Sequence, residues 1–183
     1  MGKRMQDKEV IERIHGLFDS ACHDLFAGLN CSLKPLSESS HDFQDAPIAC
    51  IDAGSSEIEV NIGLELPMEV LALTYPVPNI IDVDDESLED WVSELSNQLI
   101  GRLKAKLLKH GLEIDLGLPT SYFGADLDSL ILADQHRLSL FFDLDGESCA
   151  FHIGIEIFEQ EIKFSLEEIA GSDNLAESEI ELF

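Results

Sequence analysis

Glu94 and Asn97, a carboxylate and a carboxamide three positions apart, are the side chains in this sequence whose types and spacing could do chemistry together. If the segment is helical, the two side chains project as neighbours. A carboxylate can anchor a cation, and a carboxamide can both donate a hydrogen bond to a water molecule and accept one from it. The pair could therefore act as a catalytic device that docks into another molecule. The alternative is that both are ordinary surface residues.

The segment that contains the pair is predicted to form a long helix, roughly Glu86–His110. At 100° per residue, its apolar side chains share one arc. That arc consists of Leu88, Trp91, Val92, Leu95, Leu99 and Leu103. A row on the opposite side, which should face solvent or a partner, consists of Asp90, Glu94, Asn97 and Gly101. A glycine inside a helix costs roughly 1 kcal/mol relative to alanine, so Gly101 suggests a close approach at that point.

Several elements carry signals at their boundaries. Residues 84–86 are acidic and complement the positive N-terminal end of the long helix, whereas Lys104, Lys106 and Lys109 complement its C-terminal end. Gly111 offers the left-handed conformation that commonly ends a helix. Pro119 should stop regular strand pairing, because proline cannot donate a ladder hydrogen bond.

The other hydrophobic patterns predict a second long helix and a set of strands. Apolar residues at spacings of three and four predict the helix over about residues 8–28. Strands are predicted near Cys31–Leu36, Pro47–Asp52, Glu57–Leu66, Leu112–Leu116 and Glu161–Leu166, and a short helix over Met68–Thr74. Two alternating runs, residues 138–142 and 151–157, flank Asp145-Gly146, a strong hairpin signal. Together these patterns predict an α/β (α+β) domain with two long helices packed on a mostly antiparallel sheet.

The charge of the chain narrows the classes of function. Its 183 residues include 37 acids against 11 Lys and Arg, a formal net charge of −26. A surface this acidic repels nucleic-acid phosphates and anionic lipids, so neither is an expected partner. No run of 18 apolar residues occurs, and the N-terminal segment lacks the apolar centre of a signal peptide. The expected location is the cytoplasm.

Local motifs predict no metal or nucleotide site. Cys22, Cys31, Cys50 and Cys149 show neither CxxC spacing nor a histidine at metal-finger distance, which is typical of reduced thiols packed in or near a core. The sequence contains neither a glycine-rich phosphate loop nor a dinucleotide fingerprint. His152 alternates away from the apolar face of its strand and is expected to be exposed to solvent.

The segment Asp90-Trp-Val-Ser-Glu94-Leu-Ser-Asn97-Gln-Leu-Ile-Gly101, followed by Pro119-Thr120 after a short strand, resembles the signature of the CheC, CheX and FliY phosphatase family. That signature is a Glu-x-x-Asn pair on a long helix with a downstream proline. The order of elements resembles CheX, and one such pair is present, as in CheX. The resemblance implies a CheX-like phosphatase domain over residues 8–158 and an acidic C-terminal extension over residues 159–183.

The activity implied by this resemblance is removal of phosphate from the phospho-aspartate of a CheY-like receiver domain, in chemotaxis or related two-component signalling. Glu94 would pair with the active-site lysine of the receiver, and Asn97 would enter the receiver's site and orient the attacking water. Asp90 and Gly101 would be partner contacts. The protein would bring no metal or other cofactor of its own, because the receiver supplies the Mg²⁺.

A non-catalytic role is the rival interpretation. A CheX-like binding or assembly domain would use the same helix face to dock a receiver or another signalling protein. The resemblance also implies a homodimer paired through sheet edges, although the C-terminal extension could instead cover that edge. The Pro-rich stretch Tyr75–Pro78 and the loop Tyr122–Asp134 depart from the family pattern, which bears on dimer geometry more than on Glu94 and Asn97.

Overall fold

The computed structural model of the chain describes residues 2–38, 46–76, 84–123, 136–158 and 162–169, with side chains from residue 7 onward. The helices are α1 (Gly2–Gly28), α2 (Met68–Thr74) and α3 (Asp85–Lys109). The strands are β1 (Lys34–Leu36), β2 (Pro47–Gly54), β3 (Ile58–Glu65), β4 (Asp115–Leu116), β5 (Thr120–Phe123), β6 (His136–Leu144) and β7 (Glu147–Ile157).

The strands form one sheet in which every pairing is antiparallel. The order is β1, β6, β7, β3 and β2, and the outer side of β2 pairs with β4 near one end and with β5 near the other. The β6–β7 hairpin turns at Asp145 and Gly146, whose φ angles of 59° and 96° are those of a tight turn with positive φ at both positions. The predicted α+β architecture with a mostly antiparallel sheet is confirmed.

The core lies between the sheet and the long helices. Alternate residues of the two central strands are fully buried: Ile58, Val60, Ile62 and Leu64 in β3, and Phe151, Ile153 and Ile155 in β7. They pack in one cluster with apolar residues of α1 and α3. Full burial of a large apolar side chain is worth about 1.5–3 kcal/mol. This layer therefore determines which face of α3 points inward.

Both ends of α3 are capped: the glycine cap at Gly111 was predicted, and the side-chain cap at Asp84 adds to the predicted acidic first turn. The Asp84 carboxylate accepts hydrogen bonds from the hydroxyl of Ser87 at 2.6 Å and from its backbone N–H at 2.9 Å. These bonds, the hydroxyl bond foremost, lower the pKa of Asp84. At the other end Gly111 adopts a φ of +81°, which lets the following N–H groups reach carbonyls of the last turn. The helix predicted over Glu86–His110 is confirmed to within one residue at each end.

Three strand predictions differ from the structure. In the predicted strand Glu161–Leu166, residues 162–166 are described and form no strand. The N–H of Ser165 bonds to the carbonyl of His110 at the end of α3, and the N–H of Lys163 bonds to the Glu57 carboxylate, so neither joins a strand ladder. Strand β5 begins directly after Pro119, where pairing was expected to stop; the proline precedes the first paired residue and so removes no ladder donor. The strand predicted over Leu112–Leu116 is limited to β4, because the N–H of Leu112 bonds back to the last turn of α3.

Residues 162–169, here called the C-terminal strap, cross the C-terminal end of α3. Ile162 is 8 % exposed and belongs to the core. The Phe164 ring stacks on the buried His110 ring, with centroids 5.1 Å apart and an interplanar angle of 15°. Nδ1 of His110 lies 2.7 Å from the carbonyl oxygen of Ser165, to which it must donate, and the N–H of Ile169 bonds to the last helical turn at 2.8 Å. The strap is therefore an integral part of the fold.

Candidate functional site

The polar row predicted on α3 lies on the outward side of the helix. Asp90 and Glu94 are exposed, and Asn97 and Gly101 are half-buried. The six residues of the opposite arc are all buried, at most 8 % exposed. The structure therefore brings the four predicted site residues together along one line, here called the α3 ridge.

The side-chain amide of Asn97, in the middle of α3, is available for hydrogen bonding to another molecule. Its side chain makes no hydrogen bond to any group in the described ranges of the chain. The adjacent amide differs, because Nε2 of Gln98 donates to Oε1 of Glu94 at 2.9 Å. A half-buried amide without a partner among the described residues can donate a hydrogen bond to a water molecule or a docked protein and can also accept one.

Among the described residues, Glu94 is held only by that exposed contact with Gln98. A side-chain pair at i and i+4 on a helix surface is worth about 0.2–0.5 kcal/mol. A cation on a partner could therefore displace Gln98 at little cost. Glu94 and Asn97 thus differ in their resting contacts, although both are available to another molecule.

Gly101 is not required by the packing of this fold. A Cβ built at Gly101 would have no heavy atom within 4 Å. Gly117 provides the contrast, because a Cβ there would lie 2.8 Å from the carbonyl oxygen of Asp52. The cost of a glycine inside α3 therefore has no compensation within the described residues, and a close approach by a partner would supply one.

Side-chain contacts to three other elements hold α3 and therefore position the ridge. They are Trp91 Nε1 to Thr74 Oγ1 of α2 at 3.0 Å, Lys106 Nζ to Asp24 Oδ2 of α1 at 2.6 Å, and Glu89 Oε1 to Ser121 Oγ of β5 at 2.9 Å. Because these contacts lie on the flanks and inner side of the helix, they leave the ridge open. The site is built on a rigid element rather than on a loop.

The electrostatic character of the ridge is acidic. Residues 84–101 contain six Asp and Glu and no Lys or Arg. The first basic residue after the ridge is Arg102, which reaches back to the carbonyl of Gln98 at 3.2 Å, and burial lowers the pKa of its guanidinium. A partner that docks on this ridge should therefore present positive charge.

No protein-family model and no curated protein matches this sequence. Solved structures do match. Chemotaxis protein CheX from Vibrio vulnificus superposes with a TM-score of 0.65 at 13 % identity, over 78 % of this chain and 96 % of that chain. A CheC-like superfamily protein from Shewanella sp. PV-4 superposes with a TM-score of 0.63 at 17 % identity, over 79 % and 97 %. The CheX-CheY-BeF3-Mg²⁺ complex from Borrelia burgdorferi matches with a TM-score of 0.56 at 21 % identity, over 80 % and 97 %.

This chain has the CheX and CheC-like fold. The similarity extends over nearly the whole length of each of those solved chains, so the CheX-like fold predicted from the signature segment is confirmed. At such low identities the similarity establishes the fold, whereas the roles of Glu94 and Asn97 rest on the geometry of the ridge.

The C-terminal strap does not cover the ridge of this CheX-like fold. Its described contacts with α3 are at Lys109 and His110, and Ile169 lies against Gly111. Asn97 is three helical turns earlier, about 18 Å from Lys109 along the axis at 1.5 Å per residue. Within the described residues, the strap therefore leaves Asn97 accessible.

The other groups that the sequence singled out lie away from the ridge. Cys22 and Cys149 are buried, Cys31 and Cys50 are half-buried, and all four are free thiols that pack in or near the core, as predicted. Burial raises the pKa of Cys50 and of Cys149 to about 12. Within the described ranges, no group of three or more His, Cys, Asp or Glu side chains could hold a metal ion. No helix in those ranges is both long enough and apolar enough to cross a membrane.

His152 is less exposed than its alternation predicts. Its side chain is 17 % exposed, with Nε2 3.1 Å from Oε2 of Glu65 and Nδ1 2.8 Å from Oγ of Ser139. These partners lie on the two strands that flank β7. The expectation of solvent exposure was wrong because it considered one strand, whereas the burial comes from its neighbours.

Proposed function

We propose that this chain is a phosphatase that removes phosphate from the phospho-aspartate of a CheY-like receiver domain. The observation that carries the proposal is Asn97, a half-exposed amide without a partner among the described residues, on an outward ridge. The choice of partner is supported by the fold, since one CheX with this fold was solved as a complex with CheY, BeF3 and Mg²⁺. The receiver, and not this chain, would supply the Mg²⁺.

The reaction would be an in-line displacement at phosphorus. A water oxygen attacks the phosphorus, the bond between phosphorus and the aspartyl oxygen breaks, and the products are inorganic phosphate, a free aspartate and one proton released to solvent. Asn97 would accept a hydrogen bond from that water and hold it opposite the leaving oxygen. Catalysis by positioning suits phosphoryl transfer, because the loose transition state needs little help from a general base.

Glu94 would orient the docked receiver by pairing with the active-site lysine. Glu94→Ala should raise the half-saturating concentration of phosphorylated receiver about 10-fold or more, because hydrogen bonds to charged groups are worth about 1.5–3 kcal/mol. The maximal rate should change less than the half-saturating concentration. Steady-state phosphate release over a range of receiver concentrations measures both.

Glu12→Ala is the matched control for Glu94→Ala, because Glu12 is also an exposed helical carboxylate but lies on α1, where it pairs with Lys8. It should leave both parameters unchanged. Equal effects of the two substitutions would mean that only overall charge matters, and the proposed role of Glu94 would be wrong.

Substitutions at Gly101 should have opposite effects on two quantities, the stability of the fold and the affinity for the receiver. Gly101→Ala is expected to raise the free energy of unfolding by about 0.5–1 kcal/mol, because the added Cβ has open space and alanine favours helix. The larger Gly101→Leu should weaken receiver binding by obstructing the close approach. Denaturant unfolding and titration calorimetry separate the two effects. If Gly101→Leu bound as tightly as the wild type, Gly101 would not be a partner contact.

Phosphate release from several receivers of the same organism tests the activity itself. Each receiver is phosphorylated with acetyl phosphate in the presence of Mg²⁺, and the chain is then added. Faster release from at least one receiver is expected. If the chain bound an activated receiver and accelerated none of them, the non-catalytic docking role would be the better description.

We also propose that the phosphatase machinery lies within residues 8–158, that residues 159–183 form an acidic extension whose described part, the strap, packs against that domain, and that the protein acts in the cytoplasm. A homodimer through sheet edges belongs to the same proposal. It is supported by β6, which pairs with the short β1 only at residues 141–143 among the described strands. Light scattering after size exclusion measures the mass in solution.

A further inference from the structure

We propose that Ser139, His152 and Glu65 form a second reactive site, in which Ser139 is a nucleophile for activated esters. The three residues lie on β6, β7 and β3, which are adjacent strands of the sheet. The inference goes beyond the proposed phosphatase and does not depend on it, because the site contains no residue of the α3 ridge.

The sheet register places the three side chains on one face. Ser139 lies directly opposite His152 on the neighbouring strand. Glu65 lies two residues beyond the β3 partner of His152, and residues two apart in a strand project from the same face. The next residue of β7, Ile153, projects from the other face and packs in the core with the long helices. The three polar side chains are therefore on the face turned away from α1 and α3.

Hydrogen bonds arrange the three groups in series. Nε2 of His152 lies 3.1 Å from Oε2 of Glu65, and Nδ1 lies 2.8 Å from Oγ of Ser139. A carboxylate only accepts hydrogen bonds, so in the neutral imidazole Nε2 carries the proton and Nδ1 presents its lone pair to the Ser139 hydroxyl. A hydroxyl that donates to a base, which a third group orients, is the arrangement of an activated nucleophile.

The burial of the three residues suits this chemistry. The side chains of His152 and Glu65 are each 17 % exposed, whereas Ser139 is exposed. The Phe141 ring also packs edge-on against the imidazole, with centroids 6.4 Å apart and an interplanar angle of 82°. A shielded base of fixed orientation therefore stands beside a hydroxyl that a substrate can reach from solvent.

Ser139 also lines a cavity of about 440 Å³ between α1, β1 and β6. The other lining residues include Leu36, Leu138 and Leu140. A cavity of this size with apolar walls is typical of sites for small molecules. We therefore assign it to the acyl chain of a short-chain ester.

The reaction would be acyl transfer in two steps. Oγ of Ser139 attacks the carbonyl carbon of the ester, its proton passes to Nδ1 of His152, and the leaving alcohol departs with that proton as its C–O bond breaks. Water then attacks the acyl-serine with the same base, which releases a carboxylic acid and restores the hydroxyl. Because Ser139 is open to solvent, the oxyanion would form in a high dielectric, so an ester with a good leaving group is the expected substrate.

The test uses p-nitrophenyl butyrate as the probe and the full chain as the protein. A burst of nitrophenol is expected, together with a butyryl group on the peptide that contains Ser139, which mass spectrometry detects. Ser139→Ala should abolish that label. His152→Gln should slow the burst about 100-fold, since general-base catalysis contributes about 10²–10⁴-fold. Glu65→Gln should slow it about tenfold, because the base loses the charge that stabilises the imidazolium.

Ser56→Ala is the matched control, because Ser56 is an exposed serine in the turn between β2 and β3. Its replacement should leave both the burst and the label unchanged. Denaturant unfolding shows whether each variant folds, and the nearly isosteric Glu65→Gln keeps the test decisive if His152→Gln does not.

Two results would overturn the inference: a burst that survives Ser139→Ala, or butyryl groups on other residues at the same rate as on Ser139. The phosphatase is assayed separately, by phosphate release from a receiver. Either proposal can therefore fail while the other stands.

Discussion

Asn97→Ala is expected to lower the receiver phosphatase rate on the order of 100-fold or more at saturating receiver. Removal of one positioned hydrogen-bonding group at a reacting centre typically costs that much. Binding of the activated receiver should change far less, because the amide would contact a water molecule as well as the partner. Phosphate release measured above the receiver's own rate, with binding measured in parallel, shows both effects.

The fold should tolerate the change at Asn97. Its side chain has no hydrogen-bond partner among the described residues, and alanine favours a helix by about 0.5 kcal/mol relative to asparagine. The free energy of unfolding should therefore stay the same or rise slightly. A large destabilisation would show that the amide has a structural role, and a loss of activity could then no longer be assigned to an oriented water.

Gln98→Ala is a positional control for Asn97→Ala, since it removes the neighbouring amide from the same helix. Gln98 points about 100° around the helix from Asn97 and bonds to Glu94 in an exposed position. Activity within about threefold of the wild type is expected, in line with a surface pair worth only a few tenths of a kcal/mol. If Gln98→Ala inactivated the protein as fully as Asn97→Ala, the assignment of Asn97 as the amide that orients the water would be wrong.

The long helix and its ridge could be predicted from sequence because the information is local. The 3.6-residue period separates Leu95 and Leu99 from Glu94 and Asn97, and the structure places the first two at 0 % exposure. The N-cap at Asp84 and the glycine after the helix depend only on nearby residues. The Asp145-Gly146 hairpin was predictable for the same reason, because its two positive φ values are a property of the turn itself.

Features that depend on distant partners were not predictable in this way. Residues Thr120–Phe123 form a strand because β2 offers an edge, and no local pattern indicated that edge. Phe123 would be expected in a core from its residue type, yet it lies exposed at the end of an edge strand. The same limit explains residues 162–166, where apolar residues suggested a strand but the His110 carbonyl and the Glu57 carboxylate, both distant in sequence, provided partners for Ser165 and Lys163.

Truncation after residue 158, which removes the C-terminal strap, is expected to lower the free energy of unfolding by about 3–5 kcal/mol. Burial of a side chain such as Ile162 is worth about 1.5–3 kcal/mol, and the hydrogen bonds to the end of α3 add about 1 kcal/mol each. His110 would also lose Phe164 and the carbonyl that accepts from Nδ1, while its Nε2 already has no partner among the described groups. Thermal unfolding should shift down by about 10 °C.

Truncation after residue 169 is the matched control, because it keeps every described strap contact. The difference in free energy of unfolding between the two truncations is then the contribution of the strap. Phe164→Ala should lie between the two truncations, since it removes the ring that stacks on His110 and leaves the backbone hydrogen bonds intact. If the chain ending at residue 158 unfolded at the same temperature as the chain ending at residue 169, the strap would contribute nothing. Because the strap holds the end of the helix that carries Asn97, a measurable loss would mean that the domain able to present the ridge extends at least to residue 169.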